Sequence, residues 1–229
     1  MDFGFIINIL PALLKTLPLT LFVFVVALVG SLLLAVIVAS LQVKKIPIVD
    51  PLLRIYTSFM RSTPGIIHLF VAYYGIPFIL RPFHISLGTN SQVTAAILAL
   101  VAYNGAFMAE IIRPAYLAVG QDQKEAALSL GMTSWQRNWR IIFPQIIPIA
   151  LPSLTTAVID LLKDTSLLFL IGLVDLMGQA EIIIANNYGL YQVEVYFAIA
   201  LIYWAMSSLL ILISKLLENR YAMIWRRED

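Results

Sequence analysis

The sequence predicts an all-α protein that crosses a membrane about five times. Its 229 residues are 61% hydrophobic and only 12% charged, and the mean hydropathy is +0.90. A soluble domain carries about twice that charged fraction. The apolar residues also occur in runs long enough to cross about 30 Å of hydrocarbon, which takes roughly 20 residues of helix. The composition therefore favours a polytopic integral membrane protein.

Five apolar segments have the length of a spanning helix. They cover approximately residues 18–41, 61–81, 93–112, 149–173 and 195–217. The second segment is barely long enough and holds Gly65, Gly75 and Pro77, so its ends are the hardest to place. The stretch before the first span, residues 3–17, is either a short interfacial helix or an extension of that span.

The basic residues are distributed unevenly between the two sets of loops. One side of the membrane has only Lys15 and Arg81, and the other side has Lys44, Lys45, Arg54, Arg61, Arg113, Lys124, Arg137, Arg140, Lys215, Arg220, Arg226 and Arg227. Because cytoplasmic loops are rich in Lys and Arg, we expect the N-terminus outside and the C-terminus in the cytoplasm. The opening MDFGFIINIL has no basic n-region, so it is not expected to be a cleaved signal peptide.

Several classes of function are disfavoured. The chain has no cysteine, which excludes disulfides and thiolate metal sites. A formal charge of +2 gives no argument for a nucleic-acid partner. His68 and His84 lack the spacing of metal or haem ligands, so we expect His68 to serve helix packing. No GxxxxGK[ST] phosphate loop and no hydrolytic triad are found. We therefore expect no metal, no cofactor and no enzymatic centre in this chain.

A compact charged insert interrupts the apolar sequence between the third and fourth spans. Asp122, with Glu125 three residues later, has the form of a capping box, which predicts a helix with Asp122 as its N-cap. Gly131 is placed to end that helix in a left-handed turn. Ala126 and Ala127 keep the helix slim, so that another surface can approach its backbone.

A second helix is predicted by Thr133 and Gln136, which repeat the capping pattern. Within it Trp135, Trp139 and Ile142 fall at i, i+4 and i+7, and this apolar stripe suits the membrane boundary. We expect both short helices to project into the cytoplasm. An ordinary amphipathic connector is the alternative, and the spacing alone does not decide between the two.

The fourth span carries three charges, Asp160, Lys163 and Asp164. An ionisable group at the centre of a spanning helix costs about 2.5–3.5 kcal/mol on insertion scales, so such groups mark a pathway unless they are paired. They share one helical face with two hydroxyl side chains, Ser153 and Thr156. Asn104 in the third span is their expected companion. The alternative is a structural Asp160–Lys163 pair at i and i+3 that only orients helices.

Four sequence blocks resemble a known family. In the insert, EAA is followed after three residues by G, and after nine more by I, one residue and FP. This pattern resembles the signature loop of the membrane subunits of binding-protein-dependent ATP-binding-cassette (ABC) importers, which usually have Leu in place of Phe143. RSTPGIIHLFVAYYGIPFIL is similar to the family's RGTP…FYGLP region, with Ser62 in place of Gly. YNGAFMAEIIRPAYLAV and LLKDTSLLFLIG are similar to blocks of the polar amino acid branch.

The resemblance extends over approximately residues 16–218 and implies a type I ABC importer permease fold, with residues 1–229 as one transmembrane domain. The insert, at about residues 118–144, would be a coupling loop that an ATPase subunit receives in a surface cleft. Its implied contact residues are Glu125, Ala126, Ala127, Gly131 and Arg137. The implied substrate pathway consists of Asn104, Thr156, Asp160, Lys163, Asp164 and Ser166.

The resemblance also implies partners and a location. Two ATPase subunits would bind ATP and Mg, since this chain has no phosphate loop of its own. A second permease chain, identical or paralogous, would complete the pathway, and an extracytoplasmic amino-acid-binding protein would deliver the substrate. The acidic outer loop with Asp175 and Glu181 is a candidate contact for that protein. The assembled transporter would lie in the lipid of the bacterial cytoplasmic (inner) membrane and work by alternating access.

The local balance of one base and two acids favours a cationic or zwitterionic amino acid as the substrate, because Lys163 and Asp164 offer a positive and a negative charge at adjacent positions. Two other functions remain open. An ion-coupled secondary amino acid transporter would use the same charges as a proton or sodium relay. A structural or electron-transfer membrane subunit would hold haem. Neither of these alternatives accounts for the cytoplasmic insert.

Overall fold

The computed structural model describes residues 1–83 and 91–225, and these residues are almost entirely helical. The α-helices are α1 (Phe3–Lys44), α2 (Val49–Ser62), α3 (Gly65–Phe70), α4 (Ile76–Leu80), α5 (Ser91–Ala118), α6 (Gln121–Ser129), α7 (Ser134–Arg137), α8 (Phe143–Asp164), α9 (Leu176–Asn186) and α10 (Gln192–Trp225). π-helical turns at Val71–Gly75 and Asn138–Ile142 join α3 to α4 and α7 to α8. A 3₁₀ segment, Thr165–Ile171, follows α8.

Four helical segments are long and apolar enough to cross a membrane: Phe3–Lys44, Gln92–Ala118, Ser134–Ile171 and Gln192–Tyr221. A fifth candidate is the pair Val49–Ser62 and Gly65–Leu80, which bends by 111° at its break. Pro64 explains the bend, because a proline forces the preceding residue out of the helical region. Thr63 is accordingly extended, at φ −107° and ψ 138°. The prediction of an all-α chain with about five spans is confirmed.

The first helix is much longer than the predicted first span. α1 contains 42 residues and begins at Phe3, where the Asp2 carboxylate caps it by accepting a 3.0 Å hydrogen bond from the Phe5 N–H. Pro11 and Pro18 both lie inside the helix. Residues 3–17 therefore extend the first span, and the separate interfacial helix is not formed.

The centre of the fold is the packing of α1 against α5. A Cβ atom built on Gly30 would lie 2.6 Å from Val101 Cγ2, and one built on Gly105 would lie 2.9 Å from Leu34 Cδ2. Small residues at such positions allow membrane helices to approach closely. This contact anchors α5, which supplies one wall of the polar cavity described below.

The outer loop predicted after the fourth span contains a helix, α9, that the sequence reading missed. α9 packs its apolar face on the first turns of α1 and on the start of α10, through a buried cluster of Ile6, Ile9, Leu13, Leu176, Ala180, Ile183, Ile184, Val195, Ala198 and Ile199. Asp175 caps α9 and is fully buried, with its Oδ1 atom accepting a 2.9 Å hydrogen bond from the Gly178 N–H. Asp175 is therefore wrongly predicted as a surface contact, because no partner reaches it.

Candidate functional site

The face of α8 that carries the charges lines a polar cavity of about 420 Å³ against α5. We call it the polar cavity; its walls are Tyr103, Asn104, Phe107, Ile111, Ser153, Thr156, Ala157, Asp160, Lys163 and Asp164. The helical spacing that placed five α8 side chains on one face is thereby confirmed. The cavity has charged and hydroxyl groups on the α8 side and aromatic rings on the α5 side.

One hydrogen bond ties the two walls together. Asn104 is 3% exposed, and its Nδ2 atom donates a 3.1 Å hydrogen bond to the Oδ2 atom of Asp164. A buried polar side chain needs such a partner, because leaving it unpaired costs about 1–3 kcal/mol. Asn104 therefore orients the Asp164 carboxyl group at one end of the cavity.

The other two charges form an open ion pair. Lys163 Nζ lies 3.1 Å from Asp160 Oδ1, and the two side chains are 60% and 57% exposed. Exposed pairs of this kind contribute little to stability, about 0–1 kcal/mol. The pair is thus held only weakly, and it presents a base and an acid to the same space.

Five of the six residues predicted for the pathway meet in the polar cavity. Ser166 does not line it, because it lies in the 3₁₀ segment beyond α8. Two aromatic wall residues, Tyr103 and Phe107, were not predicted. Phe107 lies at i+3 from Asn104 and Tyr103 lies four residues before Phe107, so applying helical spacing to α5 as well as to α8 identifies them.

An ion-pair network borders the polar cavity beside Phe107. Arg113 Nη2 lies 2.9 Å from Glu110 Oε2, and Arg61 Nη1 lies 4.0 Å from the same oxygen. The Arg61 guanidinium also sits over the Phe107 ring, 5.8 Å from its centroid. The network links α2 to α5 and fixes the position of one cavity wall.

The first half of the insert ends as predicted but begins differently. Gly131 has φ +72°, and the Met132 N–H and Gly131 N–H donate to the carbonyls of Ala127 and Leu128 at 3.1 and 2.9 Å. This is the two-bond left-handed ending that glycine favours. The N-cap of α6 is Gly120, without a side-chain bond, so Asp122 as N-cap is wrong. Asp122 lies within the first turn of the helix, where an acid complements the helix dipole.

The second half of the insert forms the predicted capping box. Thr133 N–H donates to Gln136 Oε1 at 2.9 Å, and Gln136 N–H donates to Thr133 Oγ1 at 3.3 Å. The helix that follows is not separate, however, because α7 continues through a π turn into α8. The second half of the insert therefore forms the first turns of the fourth span, and Ser134–Ile171 is one continuous helical segment.

The π turn changes the predicted apolar stripe. Ile142 is 1% exposed and packs in a buried cluster with Ala115, Val119, Ile146 and Ala150. The exposed stripe instead joins Trp135, Trp139 and Phe143, with ring centroids 5.2 and 5.0 Å apart. Placing Ile142 on this stripe is wrong, since a π turn adds a residue to the helical repeat and rotates the side chains that follow.

The residues predicted to contact an ATPase are divided between surface and interior. Glu125 and Ala126 are exposed, whereas Ala127 is 3% exposed and faces its own chain. Leu128 and Leu130 are 53% and 76% exposed. Arg137 is half-buried and its Nε donates to Asn138 Oδ1 at 3.4 Å. The exposed side chains of this part of the insert thus include the acid Glu125 beside a small residue and two apolar ones.

No group of three or more His, Cys, Asp or Glu side chains suited to a metal occurs among residues 1–83 and 91–225. His68 is 7% exposed, its Nε2 atom lies 3.2 Å from the Met60 carbonyl, and its ring packs 5.3 Å from that of Tyr103. The predicted packing role of His68 is confirmed. His84 lies outside the described residues.

Several apolar helices of spanning length, with a polar cavity between two of them and a folded polar insert, define a polytopic membrane transport protein. Residues 31–223 match the model of the family described as binding-protein-dependent transport system inner membrane component. The chain belongs to this family, which confirms the resemblance of the four sequence blocks.

Relatives match over nearly their whole length. Probable amino-acid ABC transporter permease protein PatM from Vibrio harveyi is 40% identical over 209 residues, which cover 91% of each chain. Probable amino-acid permease protein YxeN from Bacillus subtilis is 35% identical over 225 residues, 98% of each chain. A crystal structure of an amino acid ABC transporter with histidines superposes with a TM-score of 0.80 at 31% identity, over 96% of this chain and 99% of the other.

Proposed function

We propose that this chain is the permease subunit of an ATP-driven amino acid importer and that the polar cavity is part of its translocation pathway. The observation that carries the proposal is the cavity between α5 and α8, where Lys163 and Asp164 present opposite charges in a chain of this transport family. The names of PatM and YxeN support an amino acid as the solute. An ion-coupled secondary transporter receives no support from the family.

The cavity chemistry favours a zwitterionic or cationic amino acid. Such a solute has an ammonium and a carboxylate, and Lys163 complements the second while Asp160 or Asp164 complements the first. Opening the exposed Asp160–Lys163 ion pair costs little free energy, because both side chains are already more than half exposed. A charge-assisted hydrogen bond to the solute is worth about 1.5–3 kcal/mol. The free energy of solute binding can therefore offset the loss of the ion pair.

The insert is the proposed coupling loop. α6 exposes Glu125, Ala126 and Leu128, and Leu130 directly after it is also exposed, a surface suited to a cleft on an ATPase subunit. Two such subunits would bind ATP and Mg, and their closure would draw two insert loops together and switch the pathway between its outward and inward openings. The energy of transport would then come from partners, and this chain would catalyse no reaction.

The remaining assembly follows from the same proposal. A second permease chain, identical or paralogous, would close the open side of the polar cavity, and an extracytoplasmic binding protein would deliver the solute. The uneven distribution of Lys and Arg supports an external N-terminus and a cytoplasmic insert and C-terminus. The expected location is the cytoplasmic membrane of a bacterium.

The test is ATP-driven uptake of a labelled amino acid panel by vesicles that contain the chain, its co-purified ATPase and a binding protein. We expect uptake only with hydrolysable ATP, and strongest for one zwitterionic or cationic amino acid. Vesicles with an ATPase that cannot hydrolyse ATP are the control. Accumulation by this chain alone, abolished by an uncoupler, would instead establish an ion-coupled transporter.

A further inference from the structure

A second cavity, of about 340 Å³, lies between the C-terminal part of α1, the end of α5 and the start of α8. We call it the apolar groove; it is lined by side chains such as Val36, Val43, Ile112, Phe143, Ile147 and Leu151. It shares no lining residue with the polar cavity. A water-filled groove of this composition would be unfavourable, so an apolar occupant is expected.

Aromatic rings mark one end of the apolar groove as the membrane boundary. Phe143 lines the groove and stacks on Trp139, with centroids 5.0 Å apart, and Trp139 in turn contacts Trp135 at 5.2 Å. The two tryptophans are 51% and 70% exposed. Since tryptophan favours the level of the lipid headgroups, the groove opens toward the acyl region directly below that level.

Exposed basic residues adjoin lining residues of the apolar groove in the chain, since Lys44 and Lys45 follow Val43 and Arg140 lies two residues from Asn138 and from Ile142. α1 ends at Lys44, followed by Lys45, and Arg140 lies in the π turn that joins α7 to α8. All three are exposed. No acidic side chain among residues 1–83 and 91–225 forms an ion pair with any of them. A concentration of positive charge beside an apolar groove is complementary to an anionic amphiphile.

We propose that the apolar groove binds one acyl chain of an anionic phospholipid, whose phosphate group lies near Lys44 and Arg140. The lipid would fill the space between α1 and α8 and would tie the insert to the membrane through Trp139 and Phe143. This site does not depend on which solute the protein transports. It makes the anionic lipid a structural ligand of the full-length chain.

The test uses Trp139 as a reporter in nanodiscs that contain the full chain. Trp135, Trp204 and Trp225 are replaced by Phe, and brominated phosphatidylglycerol or brominated phosphatidylcholine is titrated into a phosphatidylcholine bilayer. We expect the phosphatidylglycerol to quench Trp139 with half-saturation at a low mole fraction. The phosphatidylcholine should quench only in proportion to its mole fraction, because it lacks the anionic charge.

Two variants and a control distinguish recognition of the lipid headgroup from binding of the acyl chain in the apolar groove. Each base near an anionic surface is worth about fivefold in binding, so the loss of two bases in Lys44→Gln with Arg140→Gln should raise the half-saturating fraction by about 25-fold. Lys215→Gln with Arg220→Gln removes the same charge from α10 and should leave the titration unchanged. Ser40→Phe, which fills the groove from α1, should reduce quenching at saturation by the anionic lipid.

Three results would overturn the proposal. Identical titrations with the two brominated lipids would show that the headgroup is not recognised. If Lys44→Gln with Arg140→Gln and Lys215→Gln with Arg220→Gln shifted the titration equally, the bases would act only through the general surface potential. Disulfide cross-linking between two copies carrying Ser40→Cys or Ile147→Cys, at full yield, would show that a second permease chain occupies the groove.

Discussion

Asn104 donates a 3.1 Å hydrogen bond to Asp164 and so joins the middle of α5 to the last residue of α8. The bond crosses the polar cavity at the point where α8 gives way to the 3₁₀ segment Thr165–Ile171. Any motion that separates α5 from α8 must break it. The bond is therefore a natural point of control for the shape of the cavity.

Asn104→Leu should destabilise the protein and reduce uptake. The substitution leaves the Asp164 carboxyl group without its donor, which costs about 1–3 kcal/mol. Thermal unfolding in detergent measures the first effect and vesicle uptake the second. Asn187→Leu is the control, since the Asn187 side chain donates its hydrogen bond to the Ile183 carbonyl of the adjacent helix α9. Equal losses in the two variants would contradict a special role for the bond between Asn104 and Asp164.

Lys163→Ala should separate transport from stability. The Asp160–Lys163 pair is exposed and contributes only about 0–1 kcal/mol, so the melting temperature should change little. Loss of a charge-assisted hydrogen bond to the solute should lower uptake by about tenfold or more. Lys215→Ala on α10 is the control. Wild-type uptake with wild-type substrate-stimulated ATP hydrolysis in Lys163→Ala would mean that the pair only supports α8.

Gly131→Val should uncouple ATP hydrolysis from uptake. Gly131 has φ +72°, and a Cβ atom there meets no neighbour within 4 Å, so the substitution strains the backbone without a clash. The strain, about 1–2 kcal/mol, would disturb the end of α6. Gly189→Val is a close match, because Gly189 has φ +77° and equally open surroundings but lies beyond α9. The coupling role fails if both variants lose uptake to the same extent.

Asp175→Asn should remove a pH dependence of stability. Burial raises the pKa of the Asp175 carboxyl group from 3.8 to about 6. The folded state therefore binds the proton more tightly than the unfolded state, and this stabilisation is complete below about pH 4 and lost as the pH rises through 6. At pH 7 the loss amounts to roughly 3 kcal/mol. Asparagine keeps the cap of α9 without the charge.

The measurement for this prediction is the melting temperature of both proteins between pH 4 and 7.5. We expect the wild-type value to fall relative to that of Asp175→Asn as the pH increases. Asp2→Asn is the control, because Asp2 also caps a helix but is exposed. Parallel curves for wild type and Asp175→Asn would show that the buried carboxyl group does not titrate in this range.

Helical spacing and apolar length predicted the spans and the charged face of α8 because both depend on local sequence. The same reasoning missed α2 and α9. α2 has an amphipathic helical pattern that a search for long apolar runs passes over, whereas α9 has little amphipathic pattern and is held by its contacts with α1 and α10. The bend of 111° between α2 and α3 depends on Pro64, which the sequence displays but whose angle it does not specify.

The insert shows where local rules stop. Thr133 and Gln136 formed the predicted capping box because a cap involves only four neighbouring residues. Asp122 did not cap α6, since Gly120 already occupies that position. Ile142 left the predicted stripe because a π turn intervenes, and the π turn has no signature that the period of the helix reveals.

The length of α1 has a consequence for the depth of the protein in the bilayer. Its 42 residues span about 63 Å, roughly twice the thickness of the hydrocarbon. Even at a tilt of about 40° the helix is longer than the hydrocarbon is thick, so part of α1 emerges into water. The sequence has no native cysteine, so single cysteines introduced along α1 would be the only targets of a water-soluble maleimide. The pattern of labelling along this one helix would locate both faces of the bilayer.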